Sequence, residues 1–505
     1  MLGLLGDGLV TVAHWNYLVP LFFGTLAGVV GGALPGVTIT MTIIVLLPFT
    51  FGLDPLQGLA AMTGVYVGGS AGGLITASLL GIPGTPSAIA TTFDGFPMAR
   101  KGEPGRALWL GVWASFFGGL LGGAFLIFVT GPLAAIALRF GPWEFFSLFV
   151  LAMAMVAGLV ESSMAKGLIS TGIGLLITVV GNDPITGVPR FTFGSDFVGG
   201  GFPFLPVLIG IFAFGQIMTD VEKLGTPSAI ETQQVGRSLS VSHLAILREI
   251  VIRPILLLWS TIVGIAIGVL PAIGGSAANM LAYDQAKKFS KRPEKFGTGI
   301  PEGIIASESA NNANVGGSLV TIMAFGIPGD AVTAVMLGAM TIHGIQSGPL
   351  FVSQNPELAY GIYAAYILAH PMMLLIIGVG ALFILQITKV RIGVLAPVVL
   401  VLCVIGAYAL NNTMQSVYVL LLFVIVGYAL VKLGFPLAPL ILGLILGDQI
   451  EINLVRAIMT DPDPMLFLTR PISAVLLLAA ALSIVFAVAQ HLRRPPPSGV
   501  ADADF

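Results

Sequence analysis

Hydroxyl and amide side chains gather beside four places where the chain cannot remain helical. Thr85 and Ser87 sit in and after Gly81-Ile-Pro-Gly84-Thr-Pro86, and Ser309, Asn311, Asn312 and Asn314 lead into Gly326-Ile-Pro-Gly-Asp330. Thr38 follows Leu34-Pro35-Gly36, and Gly274, Gly275, Ser276 and Asn279 follow Leu270-Pro271. None of these motifs holds a Lys or Arg. Such a set can hold an anion through backbone N–H groups at broken-helix N-termini, where the dipole is positive, helped by hydroxyls and amides. The expected substrate contacts are Pro35, Gly36, Thr38, Gly84, Thr85, Pro86, Ser87, Gly274, Gly275, Ser276, Asn311 and Asn312. Ser309, Asn314 and Asp330 form the expected cation side. Asp330 is the one acidic residue at a break; it could hold sodium with nearby carbonyls or carry a proton, or simply cap the following helix. No organic cofactor and no metal beyond sodium is expected. Glu302 and Glu308 lie nearer a basic loop and read as solvated.

The elements that must carry these residues are membrane spans. The chain has 505 residues, of which 56% are hydrophobic and 9% charged, against roughly 25% charged in soluble domains. This is the composition of an all-α polytopic membrane protein set in a lipid bilayer. A net charge of -2 offers nothing to nucleic acid. The lone Cys403 forms no internal disulfide and reads as packing. No Lys or Arg precedes Arg100, so the basic start of a signal peptide is missing. Pro and Gly break the helix at each motif, and in hydrocarbon a broken backbone must be buried in protein or line a wet cavity. Two broken spans at matching places in two halves are the pattern of a carrier's binding site.

The halves match in phrases. Gly28, Gly32, Leu34 and Pro35 recur as Gly264, Gly268, Leu270 and Pro271 at one constant offset. Gly73, Leu74 and Thr76 align with Ser318, Leu319 and Thr321 at the offset that superposes the two Gly-Ile-Pro-Gly motifs. Phe202, Pro203, Pro206, Gly210 and Gln216 recur as Phe435, Pro436, Pro439, Gly443 and Gln449. Whole phrases in one order read as a duplication. In copy one the loop after Leu-Pro has no base, whereas Arg100, Lys101 and Arg106 lie in the loop after its Gly-Ile-Pro-Gly motif. In copy two Lys287, Lys288, Lys291, Arg292 and Lys295 lie in the first of these loops and none in the second. Because Lys and Arg mark the cytoplasmic side, the copies are expected to be inverted, with only Arg139, Arg190, Arg456 and Arg470 outside.

The resulting plan is a lead-in at 1–16, a first membrane repeat at 17–219, a cytoplasmic linker at 220–253 and a second repeat at 254–456. A loop and terminal transmembrane helix follow at 457–490, then a disordered cytoplasmic tail at 491–505. About 10–12 transmembrane segments are expected, with each Leu-Pro segment either a re-entrant hairpin or a full span, and with a periplasmic N-terminus.

The phrases Gly81 to Ser87, Asp94-Gly-Phe-Pro-Met-Ala-Arg-Lys-Gly102, Leu34-Pro-Gly36, Pro301-Glu-Gly303, Asn311-Asn-Ala-Asn314 and Gly326 to Asp330 resemble the large membrane subunit of the tripartite tricarboxylate transporters. The resemblance runs over roughly residues 17–456. It implies a bacterial inner-membrane subunit that works with a small membrane subunit and a periplasmic solute-binding protein. It also implies uptake of citrate-like carboxylates driven by a cation gradient. Two other classes compete. A passive anion channel also uses broken backbone. An intramembrane aspartyl protease would share Tyr283-Asp284, but its Gly-x-Gly-Asp partner is missing.

Overall fold

The computed structural model describes residues 2–158, 164–214, 218, 239–271, 273–388 and 392–493. Among them the only strands are the two-residue antiparallel pair β1 (Gly181–Asn182) and β2 (Pro189–Arg190). The remaining regular structure is helical, so this is an all-α polytopic membrane protein. The described chain falls into two compact units, Met1–Arg139 with Pro203–Tyr428, and Phe140–Phe202 with Ala429–Phe505.

The first unit carries all four motifs. Its helices are α1 (Leu2–Ala13), α2 (Trp15–Ala33), α3 (Ile39–Leu46), α4 (Pro55–Leu80), α5 (Ile89–Arg100) and α6 (Pro104–Ala137). After the second unit's α7 (Pro142–Gly158), α8 (Met164–Val179) and α9 (Asp196–Gly199), it resumes with α10 (Phe204–Ile209), α11 (His243–Val251), α12 (Pro254–Val269), α13 (Gly274–Phe289), α14 (Pro301–Phe325) and α15 (Ala331–Ile342). Then come α16 (Phe351–Gln354), α17 (Pro356–Ile387), α18 (Ile392–Asn411) and α19 (Met414–Lys432). The second unit closes with α20 (Leu437–Thr460), α21 (Leu466–Thr469) and α22 (Pro471–Arg493).

The two broken helices start and stop on the same chemistry. Pro opens α4 and α14, where its missing N–H costs nothing. Asp54 and Gln57 form a reciprocal capping box on α4. Both helices end on a left-handed glycine, Gly81 at φ 71° and Gly326 at φ 72°. The Leu-Pro stops agree as closely. Leu34 sits at φ -80°, ψ 113° and Leu270 at φ -79°, ψ 127°, the extended backbone that a following Pro imposes.

Glycine contacts repeat residue for residue. A Cβ on Gly28 would strike the Val65 carbonyl, and one on Gly264 the Ala310 carbonyl. Gly32 lies on the Gly69 carbonyl and Gly268 on that of Asn314; Gly72 meets Val29 as Gly317 meets Ile265. Each of these partners keeps the spacing of its motif in the sequence. The α2–α4 and α12–α14 crossings are thus two copies of one small-residue interface. Between the copies, α6 packs along α14 and α17 along α4. These neighbours leave α4 and α14 buried on every side: all residues from Thr63 to Leu79 and from Gly303 to Ala324 are buried.

In the second unit Gly174 lies on the Leu440 carbonyl and Gly443 on that of Thr171, which closes α8 on α20. Buried Glu144 accepts from Arg470 Nε at 2.6 Å, and that guanidinium stacks over Trp143 at 4.7 Å. Arg190 forks onto Glu451 and reaches Asp183 at 3.2 Å. The backbone N–H groups of Thr186 and Ile185 hold the Asp183 carboxyl below its ordinary range.

Several expectations change. Among the described residues seven helices are long and apolar enough to cross a membrane alone, or eight counting α11 with α12, which bend by 78°. α14 is absent from that number because its polar residues lower its hydropathy, although its 25 residues extend about 38 Å. The apolar run at 37–52 is a helix of 8 residues followed by a short 3-10 turn, Leu47–Thr50. That is too short for a bilayer core of about 30 Å. The apolar stretch that follows Pro203 begins as α10 and widens into a π-helix over Gly210–Phe214. Gln216, most of the proposed linker (220–238 of 220–253) and the tail from 494 on lie outside the described residues. The linker's end is folded: Ile246 and Ile250 of α11 pack with Ala107, Leu110, Ala114, Ile304 and Ile305.

Gly264→Leu should therefore overpack a backbone-on-backbone crossing and cost about 3 kcal/mol or more. Gly172, with nothing near its Cβ position, should accept Ala without loss. Thermal unfolding in detergent checks both.

Candidate functional site

Within each copy the break packs on the Leu-Pro end of its partner helix. Gly84 lies on the Gly32 carbonyl, and Gly329 lies on that of Gly268. Gly84 N–H also donates to the Gly73 carbonyl at 3.4 Å. These contacts need glycine because backbone meets backbone. They place Thr85 and Asp330, equivalent positions of the two copies, just beyond each break. Thr85 is buried, with its Oγ1 3.1 Å from Ser87 Oγ. Asp330 caps α15. Its Oδ1 accepts from Thr333 N–H at 2.8 Å and from Thr333 Oγ1 at 2.9 Å. The Tyr66 hydroxyl of α4 donates to its other oxygen.

The copies meet at the start of α13. Gly274, at φ 75°, brings its Cβ position within 3.4 Å of Asp330 Cβ. At Gly275 that position is 2.8 Å from Asn311 Oδ1, 3.2 Å from Ser87 Cβ and 3.7 Å from Asn314 Nδ2. Asn311 Nδ2 donates to the Ser70 carbonyl of α4 at 2.8 Å. The Oδ1 atoms of Asn311 and Asn314 have no hydrogen-bond partner among the described residues. Buried acceptors seldom go unpaired, so the Asn311 oxygen at this glycine-lined joint, with the Asn314 side chain near it, forms a place suited to a donor or a cation.

Eight of the expected residues gather here: Gly84, Thr85, Ser87, Gly274, Gly275, Asn311, Asn314 and Asp330. The others are placed differently. Pro35 and Gly36 are exposed at the α2–α3 turn, and Thr38 caps α3, accepting from Met41 N–H at 3.0 Å. Pro86 is exposed at the start of a short 3-10 turn, and Ser276 is half-buried in the first turn of α13. Ser309 donates to the Ile305 carbonyl of its own helix at 2.7 Å, with its backbone against Gly118 of α6. Asn312 faces away, towards Met373 and Tyr366 of α17.

The reading of Glu308 as solvated is corrected: it is fully buried. It accepts from the hydroxyls of Thr91 on α5 and Ser115 on α6, the latter at 2.9 Å. Glu302 is the partly exposed one and pairs with Arg253 Nε at 2.9 Å. Asp94 also emerges only from the structure. Buried at 0% exposure, its Oδ1 accepts from the N–H groups of Gly297, Gly299 and Ile300 at 2.7–3.0 Å, and its Oδ2 from Tyr283 at 2.9 Å. It latches the end of α5 to the loop before α14. One sequence signal pointed to Glu308: it stands three residues before Asn311 and so shares its helix face. Tyr66 carries no such signal.

Comparison with known proteins bears on this geometry. The family model described as the tripartite tricarboxylate transporter TctA family matches residues 18–442. The chain belongs to that family. It is a transporter family, and the chain is not an enzyme. An uncharacterised 52.8 kDa protein of the TAR-I ttuC' 3' region of Agrobacterium vitis is 35% identical over 94% of this chain and 93% of its own length. An uncharacterised protein of the TAR-II ttuC' 3' region of the same organism is 34% identical over 46% of this chain and 96% of its own. No solved structure gives a significant match.

Asp94→Ala should take the acceptor from three part-buried N–H groups and from the buried Tyr283 hydroxyl. The expected loss is about 3 kcal/mol or more, read as a lower melting temperature of the purified protein. Asp94→Asn should recover part of it.

Proposed function

We propose that this chain is the large membrane subunit of a secondary-active, tripartite uptake system for citrate-like carboxylates. On this reading it works in the bacterial inner membrane with a small membrane subunit and receives its substrate from a periplasmic solute-binding protein. The observation that carries the reading is the approach of Ser87, beyond the first break, to Gly275 and of Asp330, beyond the second, to Gly274, with hydroxyls and an unpaired amide oxygen but no Lys or Arg in the motifs. The inverted orientation of the copies, with a periplasmic N-terminus and a cytoplasmic C-terminus, belongs to the same proposal and rests on the swapped basic loops.

The anion is held by Thr85, Ser87, Asn311 and the backbone N–H groups at the start of α13 and of the turn after Gly84. With no Lys or Arg in the motifs, a co-transported sodium ion or proton on the side of Asn314 and Asp330 supplies the compensating charge. At intermediate dielectric that attraction amounts to several kcal/mol. Substrate and cation then raise each other's affinity by the same factor. A carrier of this kind exchanges substrate across the membrane, and a passive channel does not show such counterflow.

The test is uptake of labelled carboxylate by vesicles holding the membrane subunits and the binding protein. Asn caps helices as well as Asp does, so Asp330→Asn keeps the fold while removing the charge. It should weaken cation dependence, and Thr85→Ala should first weaken substrate affinity, each by about 5-fold or more. Unchanged dependence on both sodium and pH in Asp330→Asn would leave that residue as a helix cap only.

A further inference from the structure

We propose that Glu308 is a proton-carrying site of transport, an assignment that rests on the transport reading above and gives one coupling ion a place. The group sits where four helices meet: α5 supplies Thr91, α6 Ser115, α13 Asn279 and α14 Glu308 itself. All four side chains are fully buried. Among the described residues no Lys, Arg or His forms an ion pair with Glu308.

The charged and titratable groups on the surrounding elements are engaged elsewhere or exposed. On α5, Asp94 is held by Tyr283 of α13 and three backbone N–H groups, and Arg100 lies over Phe96. On α6, Arg106 pairs with Glu103 and with Glu249 of α11. On α13, Asp284 pairs with Lys288, and Lys287 is exposed. At the start of α14 Glu302 pairs with Arg253, which precedes α12. On α4, Tyr66 serves Asp330, and on α17 the His370 Nδ1 lies 2.8 Å from the Tyr366 carbonyl. A buried carboxyl in such surroundings is either neutral or compensated by a mobile cation.

The hydroxyls around it satisfy both protonation states without moving a heavy atom. Thr91 Oγ1 lies 3.2 Å from Ser307 Oγ, which reaches the Gly303 carbonyl at 2.9 Å. Asn279 Nδ2 lies 3.4 Å from Thr91 Oγ1, and Asn279 Oδ1 accepts from Ala90 N–H at 2.8 Å. In the ionised form Thr91 and Ser115 each donate to one carboxylate oxygen. In the neutral form the acid proton goes to Thr91 Oγ1, the Thr91 hydrogen turns to Ser307, and the Ser307 hydrogen stays on Gly303. Ser115 donates in both forms. Every donor keeps an acceptor, because hydroxyl hydrogens rotate freely. The proton enters and leaves as solvent H⁺, and no other co-reactant is needed. Asn311, one turn along the same helix face, separates this site from the Gly275 joint and lies against both.

The experiment uses the reconstituted complex of membrane subunits and binding protein, with citrate as probe. It compares wild type with Glu308→Gln in two assays: counterflow exchange without gradients, and accumulation driven by an inward proton gradient with sodium equal on both sides. Glu308→Gln should keep counterflow within about threefold and lose proton-driven accumulation by about tenfold or more. Glu308→Asp should restore part of it. Ser307→Ala removes the acceptor used only in the neutral form, so it should move half-maximal proton-driven uptake to more acidic pH; this variant decides the matter if Glu308→Gln fails to reach the membrane. Proton-driven accumulation by Glu308→Gln equal to wild type overturns the proton site alone, as does wild-type accumulation that follows sodium and ignores the proton gradient. A wild-type complex that shows neither counterflow nor accumulation overturns the transport reading and this inference with it.

Discussion

Backbone groups released by a broken helix have nowhere to go in hydrocarbon, and the first unit is built around satisfying them. Each Gly-Ile-Pro-Gly break ends its helix on a left-handed glycine and then lays a second glycine on the end of a neighbouring helix, itself stopped by Leu-Pro. The breaks must be enclosed, so α4 and α14 are buried on all sides, with α6 and α17 closing over them. A helix buried on all sides need not be apolar to be stable, provided its polar groups find partners. This is how α14 holds Glu308 in the interior of a membrane protein, whereas the Oδ1 atoms of Asn311 and Asn314 have no hydrogen-bond partner among the described residues.

Three buried carboxyls in this unit differ in what holds them. Asp94 accepts from three backbone N–H groups and a tyrosine. Backbone donors are fixed, so this carboxylate latches two elements together. Asp330 accepts from a backbone N–H and two hydroxyls at a helix N-terminus, where negative charge is favoured. Among the described residues Glu308 accepts from two hydroxyls, whose hydrogens can turn. The difference between fixed and rotatable donors separates a structural carboxylate from one able to change its protonation.

Much of this was legible in the sequence. Pro and Gly punctuation located both breaks and both Leu-Pro stops, and the repeated phrases paired them correctly, because these residues act through local backbone geometry. The gathering of Thr85, Ser87, Asn311 and Asp330 followed from the same duplication. What could not be read was which face of a fully buried helix a residue occupies. α4 and α14 have no apolar stripe to reveal orientation, so Asn311 and Asn312 both read as substrate contacts although they face different neighbours. Glu308 was misjudged because nearness to a basic loop in the sequence says little about depth in a helix of 25 residues. The short α3 was hidden by an apolar run that composition alone cannot distinguish from a span.

The central claim is that the anion occupies the joint where Ser87, Gly275 and Asn311 converge. Cys403 is the native cysteine and is buried, so a Cys403→Ser background isolates one engineered thiol. Modification of Ser87→Cys by a small thiol reagent, timed in vesicles with the binding protein present, reads the joint directly. Saturating citrate should slow that reaction by about tenfold, the occlusion expected of a ligand in contact, and leave a cysteine at exposed Gly36 unaffected. Equal rates at Ser87→Cys with and without substrate, in a complex that demonstrably transports it, would contradict the account.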